Sequence, residues 1–293
     1  MGLRAHRPTE LKRSYFRGSE AISRGLLTRS QLRSSAWQPL FRDVYADADL
    51  RVTHLLKCRA AVLLLPPYAA LTGRSAACLA RLPLGEPNDL VQVIVPAGRQ
   101  FQAQGMHVRR AWLPPTHVES GKPPVTVPQR TAWEIARGPD VIEAVTALDI
   151  LFHYRYLRPG AMDSWVAAYP RSRAARALGL ADGRAESPQE SRTRVRLTLS
   201  GFPPPIPQYD VEAGGAFIAR VDLAWPTARV AVEYDGGHHA DFRQLSNDRV
   251  RLNKLVDAGW VVFHLTSRDL TDPERFARFT TQLRAALARA HMD

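Results

Sequence analysis

The sequence is poor in cysteine and in long apolar runs. Its 293 residues include two cysteines, Cys58 and Cys78, which are too few for a disulfide scaffold or a cysteine-rich zinc site. The longest apolar run, residues 60–65, is far too short to cross a bilayer, and the basic N-terminus lacks the apolar core of a signal peptide. These absences predict a cytoplasmic protein that makes no membrane contact.

Lysine and acidic residues are also scarce. The chain has 40 lysines and arginines, of which four are lysines, against 28 acidic residues, so its formal charge is +12. Arginine presents a planar fork of N–H donors that matches phosphates and base edges. A GC-rich genome would also enrich arginine, but it explains the sign of the net charge less well. The balance predicts DNA or another polyanion as the partner.

Composition and patterning predict an α/β protein with several domains. The 45% of hydrophobic and 23% of charged residues are typical of globular proteins, and the length suggests about two domains with room for a small third. We predict a basic tail at 1–14, a winged helix-turn-helix at 15–51, a middle α/β domain at 52–168, a linker with a basic helical turn at 169–187 and a C-terminal α/β domain at 188–293.

Capping signals predict the N-terminal module. Thr28 is typical of a helix N-cap, and Gln31 three residues later completes a capping box. Short helices at 18–24 and 29–35, followed by a hairpin at 37–46, have the outline of a winged helix-turn-helix. The middle region has a helix expected at 52–65 and no recognisable catalytic constellation.

Three carboxylates are predicted to converge in the C-terminal domain. In a strand at 229–235, Glu233 and Asp235 share one face because side chains alternate along a strand. A two-residue connection at 227–228 places Asp222 opposite Glu233. Facing carboxylates repel each other, and their hard oxygens favour Mg²⁺ or Mn²⁺ as the counter-charge. The apolar residues of these strands are expected to share the opposite face: Val221, Leu223, Trp225, Val230, Val232 and Tyr234.

An alternative is that these acids are solvated on an exposed sheet face. Strands are normally depleted in Asp and Glu, and here the acids precede Gly-Gly-His-His, so a functional site is favoured. Glu190 on the preceding helix could lean over the site, and His238 or His239 could transfer protons. Nearby basic side chains are expected to contact DNA or, near the acids, to pair with them: Arg194, Arg249 and Arg251.

The segment from Pro188 onward resembles the very-short-patch-repair endonuclease-like domains of the PD-(D/E)XK nuclease superfamily. The resemblance covers about a third of the chain and is carried, in order, by PQESRTRVRLTLSGFPPPIPQ, VDLAWPTARVAVEYDG, HH, DRVRLNKL and GWVVFHLTSRDL. It implies a restriction-endonuclease-like mixed sheet flanked by helices and metal-dependent cleavage of DNA.

Individual positions follow from this resemblance. Asp222 matches the metal-binding Asp, Glu233 the second acidic position and Glu190 the helix-borne acid. Asp235 stands where the broader superfamily has a lysine, which is a departure from its pattern. The repair endonucleases use histidine instead of that lysine, so the resemblance implies this role for one histidine of the HH pair.

The N-terminal segment GLLTRSQLRSSAWQPLFRDVYA resembles the winged helix-turn-helix of abortive-infection antitoxins of the AbiEi kind, through a helix followed by W-x-x-L-x-x-x-V-Y. The middle region follows these antitoxins loosely, mostly at VTVPQRTAWEIAR. The resemblance implies DNA binding or transcriptional control. Arg29 and Arg33 are the expected DNA contacts, unless their helix only packs against the middle domain.

Two functions are compatible with these patterns. The first is a metal-dependent DNA endonuclease or nickase targeted by the N-terminal module, which the intact acids favour. The second is an antitoxin-like repressor with an inactive nuclease-like scaffold, which the missing lysine favours. A toxin–antitoxin partner without a DNA role is a third option, against which the net charge argues. A homodimer and a toxin or repair protein as partner are left open.

Overall fold

Sheets flanked by helices occur in both halves of the chain. The computed structural model describes residues 6–236 and 242–289, with side chains for all of these except 242–249. The chain divides into two units between Ile135 and Ala136. The structure is mixed α/β, in agreement with the class predicted from the sequence.

The first unit contains two three-stranded sheets. Its elements are β1 (Tyr15–Arg17), α1 (Gly18–Ser23), α2 (Arg29–Leu32), β2 (Trp37–Phe41), β3 (Val44–Asp47), α3 (His54–Ala61), β4 (Ala70–Leu71), α4 (Gly73–Leu79), β5 (Val91–Pro96), β6 (Met106–Ala111) and α5 (Pro128–Ala136), whose last residue passes the boundary. The sheet β1-β3-β2 is antiparallel. In the sheet β4-β5-β6, the first pair is antiparallel and the second parallel.

The turn before α2 is closed by the hydrogen bonds that the sequence predicts. Thr28 Oγ1 accepts from Gln31 N at 3.2 Å, and Gln31 Oε1 accepts from Thr28 N at 2.8 Å, which confirms the capping box. The antiparallel pairing of β2 with β3 confirms the hairpin. The helix ends at Leu32, earlier than predicted, because the serines that follow favour turns over helix interiors.

A buried carboxylate anchors the described part of the predicted basic tail. Asp47 is 1% exposed and accepts hydrogen bonds from Arg7 Nη2 at 2.8 Å and from Arg13 N at 2.7 Å. Leu11 packs into the apolar core beneath the antiparallel sheet. These contacts make residues 7–13 part of the fold instead of a solvated tail.

Proline limits the helix expected at 52–65. α3 ends at Ala61, and a 3₁₀ turn at Val62–Leu64 continues the chain to two prolines. Proline has no N–H to donate to a preceding helical carbonyl, and its ring disfavours helical geometry just before it. The helix therefore stops before the apolar run does.

The second unit contains one four-stranded mixed sheet. Its elements are α6 (Val141–His153), α7 (Asp163–Ala168), α8 (Arg173–Leu180), α9 (Pro188–Leu199), β7 (Ile206–Ala213), β8 (Ala216–Trp225), β9 (Val230–Asp235), α10 (Phe242–Asp257), β10 (Val261–Thr266), α11 (Ser267–Thr271) and α12 (Pro273–Arg289). The strand order is β10-β9-β8-β7, with β10 parallel to β9 and the other pairs antiparallel. No helix in the described ranges is long and apolar enough to cross a membrane.

Apolar side chains cover both faces of this sheet. Leu223 and Val232 belong to a cluster that includes Leu283 of α12. Ala231, on the opposite face from Val232, belongs to a second cluster with Leu255 of α10. Both faces are therefore shielded from water where β8 pairs with β9, which excludes the alternative of a fully solvated sheet face at this point.

The stretch interpreted as a linker, 169–187, contains the helix α8. Ala174, Ala175 and Ala177 are buried along one side of this helix, which packs against α6. Arg173 and Arg176 of the same helix are exposed. The Ala- and Arg-rich composition therefore belongs to a helix with one buried face, and the described structure departs from the linker interpretation.

A buried ion pair joins α9 to α6. Arg194 Nη2 lies 2.8 Å from Asp149 Oδ2, and Arg194 Nη1 donates to the carbonyl of Leu180 at 2.7 Å. Burial raises the pKa of Asp149, and the Arg194 charge opposes this effect. The Arg194 side chain is 9% exposed, so the predicted DNA contact at this residue is wrong: its guanidinium is enclosed by the fold.

Replacing Arg194 with leucine should lower the free energy of unfolding by about 3–5 kcal/mol, because an uncompensated charge would remain buried at Asp149. Arg192→Leu on the same helix is the matched control. Its ion pair with Glu143 is about one third exposed, so we expect a loss of at most about 1 kcal/mol. Denaturant unfolding measures both losses. Equal losses would contradict the role assigned to the buried pair.

Candidate functional site

Asp222 and Glu233 are neighbours across strands β8 and β9. The last pair formed by these strands joins Leu223 to Val232, so Asp222 and Glu233 are the next residues in the same register. A 3₁₀ turn at Pro226–Ala228 connects the strands. The register predicted from the sequence is therefore confirmed.

The regular strand pattern is interrupted beside Asp222. β7 and β8 pair on either side of Gln208, but Gln208 itself has a left-handed φ of 51° and no partner in the register. Val221 packs into the cluster that contains Leu255 of α10, whereas Leu223 packs into the cluster on the α12 side. The prediction that Val221 and Leu223 share a face is wrong, because the pleat does not continue through this irregularity.

Hydrogen bonds position Asp222 and Glu190 on the two sides of one amide group. Asp222 Oδ2 accepts from the backbone N–H of Tyr234 at 2.8 Å. Gln208 Nε2 donates to Glu190 Oε2 at 2.8 Å and more weakly to Asp222 Oδ1 at 3.4 Å. Glu190 Oε2 also accepts from the N–H of Glu186 at 2.9 Å. The structure thus brings Glu190 to the site, as the sequence predicts.

Glu233 is buried beside two basic side chains. It is 9% exposed, and its Oε1 accepts hydrogen bonds from both terminal nitrogens of Arg251, the Nη1 contact being 3.0 Å. His264, which is in register with Glu233 on β10, has its Nδ1 3.9 Å from Glu233 Oε2 and 3.4 Å from Asp235 Oδ2. Arg251 therefore takes the second of its two expected roles, pairing with an acid.

The acids do not form the single three-carboxylate cluster that the sequence predicts. The Asp235 side chain is 57% exposed at the end of β9, near His264. Asp222 is instead turned toward the N–H of Tyr234. Among the side chains described, those of residues 6–236 and 250–289, no group of three Asp, Glu, His or Cys side chains is close enough together to hold a metal ion. The buried acids are Glu190 and Glu233, with Asp222 half-buried between them.

Burial and like charges act together on Asp222. Burial raises its pKa, the neighbouring Glu190 and Glu233 raise it further, and the hydrogen bond from Tyr234 N opposes them, with a result of about 6. Burial also raises the pKa of Glu233, although Arg251 and His264 oppose this shift. The described side chains thus leave the negative charge around Asp222 only partly compensated.

A divalent cation fits this donor set. Mg²⁺ usually binds one or two carboxylates and takes its other ligands from water or substrate phosphates, so a cage of three protein carboxylates is not required. Asp222 Oδ1 has one weak hydrogen bond, and Glu233 Oε2 accepts none from the described residues. Asp222 and Glu233 would hold the cation, which would supply the missing positive charge.

Other predicted residues are placed less completely. His238 and His239 lie outside the described residues, and so does the side chain of Arg249. In the first unit, Arg29 on α2 and Arg33 at its C-cap are exposed, as a DNA contact requires.

Two residues at the site were not found from the sequence. Gln208 follows a run of prolines, which disfavours a strand, so the sequence does not predict the strand β7. His264 lies in the strand FHLT, but its neighbourhood depends on the parallel pairing of β10 with β9, which local patterning does not reveal. The alternation of residues along β10 does not show which strand lies beside it, so it does not place His264 next to Glu233.

The raised pKa of Asp222 predicts a pH-dependent stability. Between its unfolded value of 3.8 and about 6, the native state holds a proton that the unfolded chain releases. The contribution of Asp222 to the free energy of unfolding is therefore fully present below the unfolded pKa, and it is lost as the pH rises through 6. Asp222→Asn, which stays neutral, should raise the free energy of unfolding near pH 7 by on the order of 1–3 kcal/mol.

Urea unfolding of wild-type and variant protein at pH 4 and pH 7 checks this expectation. The advantage of Asp222→Asn should be much smaller at pH 4, where Asp222 is protonated in the native state and partly protonated in the unfolded chain. Asp210→Asn is the control, because Asp210 is an exposed acid on the same sheet whose pKa is lowered by Arg220. A variant that is equally or less stable than wild type at pH 7 would contradict the prediction.

No protein-family model matches the chain. Two proteins of Mycobacterium tuberculosis are similar to it: the uncharacterized protein MT2308 of strain CDC 1551 / Oshkosh and the uncharacterized protein Rv2248 of strain ATCC 25618 / H37Rv. Each is 34% identical over 158 residues, which are 52% of this chain and 58% of the relative. The chain therefore spans less than two thirds of the length of these curated relatives.

Proposed function

We propose that the protein is a metal-dependent DNA endonuclease or nickase whose second unit cleaves phosphodiester bonds and whose N-terminal module binds DNA. One observation carries the proposal. Three carboxylates from different elements, those of Glu190, Asp222 and Glu233, are shielded from water and lie near each other at the sheet. Burial, together with the repulsion from Glu190 and Glu233, raises the pKa of Asp222 to about 6. Perturbed acids of this kind are typical of functional sites.

The resemblance to repair-endonuclease-like domains supports the same assignment. Its segments fall on α9, on β8 and β9, and on α10 and β10, which together include a mixed sheet with helices packed against it. The three acids that the resemblance carries over are the three that meet in the structure. This agreement joins two independent lines of support, the motif order and the electrostatics.

Each acid has a distinct part in the proposed site. Asp222 and Glu233 would hold Mg²⁺ or Mn²⁺. Glu190 would add a negative charge close to the cation, since the Gln208 amide nitrogen donates to both Glu190 and Asp222. When bound, the cation lowers the pKa of a coordinated water and polarises the phosphate. The hydrogen bond from Tyr234 N occupies Asp222 Oδ2, so Oδ1, which has only one weak hydrogen bond, would be the oxygen that binds the cation.

Positive and proton-carrying groups complete the proposed chemistry. Arg251 is about one third exposed and uses only its terminal nitrogens on Glu233, so it can also donate to a DNA phosphate. His239 or His238 is the proposed general acid or base, by the resemblance. His264 Nδ1, near Asp235 and Glu233, is a further proton carrier that the structure adds to the candidates.

The alternative is a DNA-binding repressor with an inactive nuclease-like scaffold. Two observations favour it: Arg251 already compensates Glu233, and the described residues offer no three-ligand metal group. In that case Asp222 would remain an uncompensated acid without a cation. Plasmid cleavage separates the two functions, because only the endonuclease requires the divalent ion.

Purified protein should nick or linearise supercoiled plasmid in the presence of Mg²⁺ or Mn²⁺ but not of EDTA. Asp222→Ala should abolish cleavage while DNA binding and folding persist, and Asp210→Ala, an exposed acid on the same sheet, should cleave like wild type. Replacing the active histidine of His238 and His239 with alanine should cost roughly two to four orders of magnitude in rate. Gel electrophoresis of the plasmid measures each variant.

Plasmid that stays intact with either cation at several pH values, while the protein still binds DNA, would reject the endonuclease and favour the repressor. Cleavage that Asp222→Ala does not remove would contradict the role of Asp222 in the reaction. In both cases the proposed catalytic role of Asp222 fails.

The N-terminal module gives a second prediction. Replacing Arg29 and Arg33 with alanine should weaken duplex binding and lower the slope of log affinity against log salt by up to about 1.8, the loss expected for two phosphate contacts. The control is Arg59→Ala with Arg81→Ala, two exposed arginines of the same unit that remove the same charge. Fluorescence anisotropy in EDTA measures the slopes. Equal slopes in the two double variants would show that α2 is not the DNA surface.

A further inference from the structure

The tryptophan at the end of β6 is unusually exposed. Trp112 is 72% exposed, the largest value among the exposed large hydrophobic side chains of the described chain. It follows directly on β6, which pairs with β5 on one side and forms one edge of its sheet. An aromatic side chain of this size normally lies in a core or an interface, because water contact is unfavourable for its ring.

Buried charges hold the backbone of this residue in place. Arg130, 4% exposed, donates from Nη1 to the carbonyl of Trp112 at 2.8 Å and from Nε to Glu134 at 2.8 Å. Arg109 of β6 also binds both oxygens of Glu134. The backbone at Trp112 is therefore held by a buried arginine that is itself paired with a carboxylate, although the ring is exposed.

The ring of Trp112 is also oriented. His117 meets it edge-to-face, with ring centroids 5.2 Å apart and planes inclined by 83°. Burial and the Arg130 charge lower the pKa of His117, which favours its neutral form. One contact thus fixes the indole while most of its surface remains in water, an arrangement that is preorganised for stacking.

The surroundings of the ring are basic. The segment MHVRRAWLPPTH, residues 106–117, contains two arginines and two histidines and no acidic residue. Arg110, two residues before Trp112, is exposed, and no carboxylate of the described residues pairs with it. A polyanion with flat apolar groups matches this combination of free positive charge and exposed aromatic surface.

We propose that Trp112 is a stacking platform for an unpaired base of single-stranded DNA and that Arg110 contacts the adjacent phosphate. Bases in a duplex are stacked on both faces by their neighbours, so a single exposed indole can stack fully only on an unpaired base. This surface belongs to the first unit and does not depend on the acids of the second. It extends the proposed function to DNA that contains a single-stranded stretch.

Anisotropy of a fluorescein-labelled 12-nucleotide oligo-dT, in EDTA, tests the platform in the full chain. Trp112→Ala should weaken binding by about 10-fold with an unchanged salt slope, because it removes stacking but no charge. Trp112→Phe should retain part of the affinity. Arg110→Ala should lower the slope by about 0.7, the value for one phosphate contact on a single strand. Leu90→Ala, an aliphatic residue of the same unit that is 52% exposed, should bind like wild type.

A direct readout distinguishes stacking from an indirect effect. The emission of Trp112 is obtained by subtracting the tryptophan emission of Trp112→Phe from that of wild type. Unlabelled oligo-dT should quench this difference emission, and a duplex of equal length should quench it much less. Wild-type affinity in Trp112→Ala, or a difference emission that does not respond to oligo-dT, would overturn the proposal. Equal quenching by the duplex would overturn the preference for unpaired bases. These binding measurements contain no divalent ion, whereas plasmid cleavage requires one. A negative result for Trp112 therefore does not affect the cleavage test of Asp222.

Discussion

Carboxylates held out of water are the constraint on which the rest of the second unit depends. Removing charged groups from water is costly unless hydrogen bonds or opposite charges offset the loss. The Gln208 amide joins Glu190 to Asp222, the N–H of Tyr234 binds Asp222, and Arg251 pairs with Glu233. The left-handed backbone of β7 at Gln208 accompanies this amide, so the buried acids lie beside an irregular point of the sheet.

The arginines of the chain fall into two physical kinds. Arg130 and Arg194 are buried and bind carboxylates, so they act as parts of the scaffold. Arg29, Arg33 and Arg110 are exposed and are available to an anionic partner. The net charge of +12 counts both kinds equally. Burial therefore decides which positive charges can contribute to DNA binding, and Arg194 shows how a basic cluster in the sequence can be structural.

Local signals made several parts of the structure predictable. The capping box at Thr28 depends on residues three apart, and the register of Asp222 against Glu233 depends on a short connection. Other parts were missed for equally local reasons. The prolines before β7 disfavour a strand, and packing against β8 outweighs this weak local propensity. In α8 the alanines and arginines are good helix formers, and the sequence predicts only a helical turn within a linker because its contact with α6 is not visible locally.

The sequence by itself determined the α/β class, the positive charge, the acidic residues of β8 and β9 and their register, because each depends on composition or on residues close along the chain. Only the tertiary structure decided the partner of each charge. Arg251 lies on Glu233, His264 reaches the acids from a parallel strand, and Asp235 remains half in solvent. The reason is physical: a charge is compensated by what lies within a few ångströms of it, and those neighbours come from helices and strands far apart in the chain.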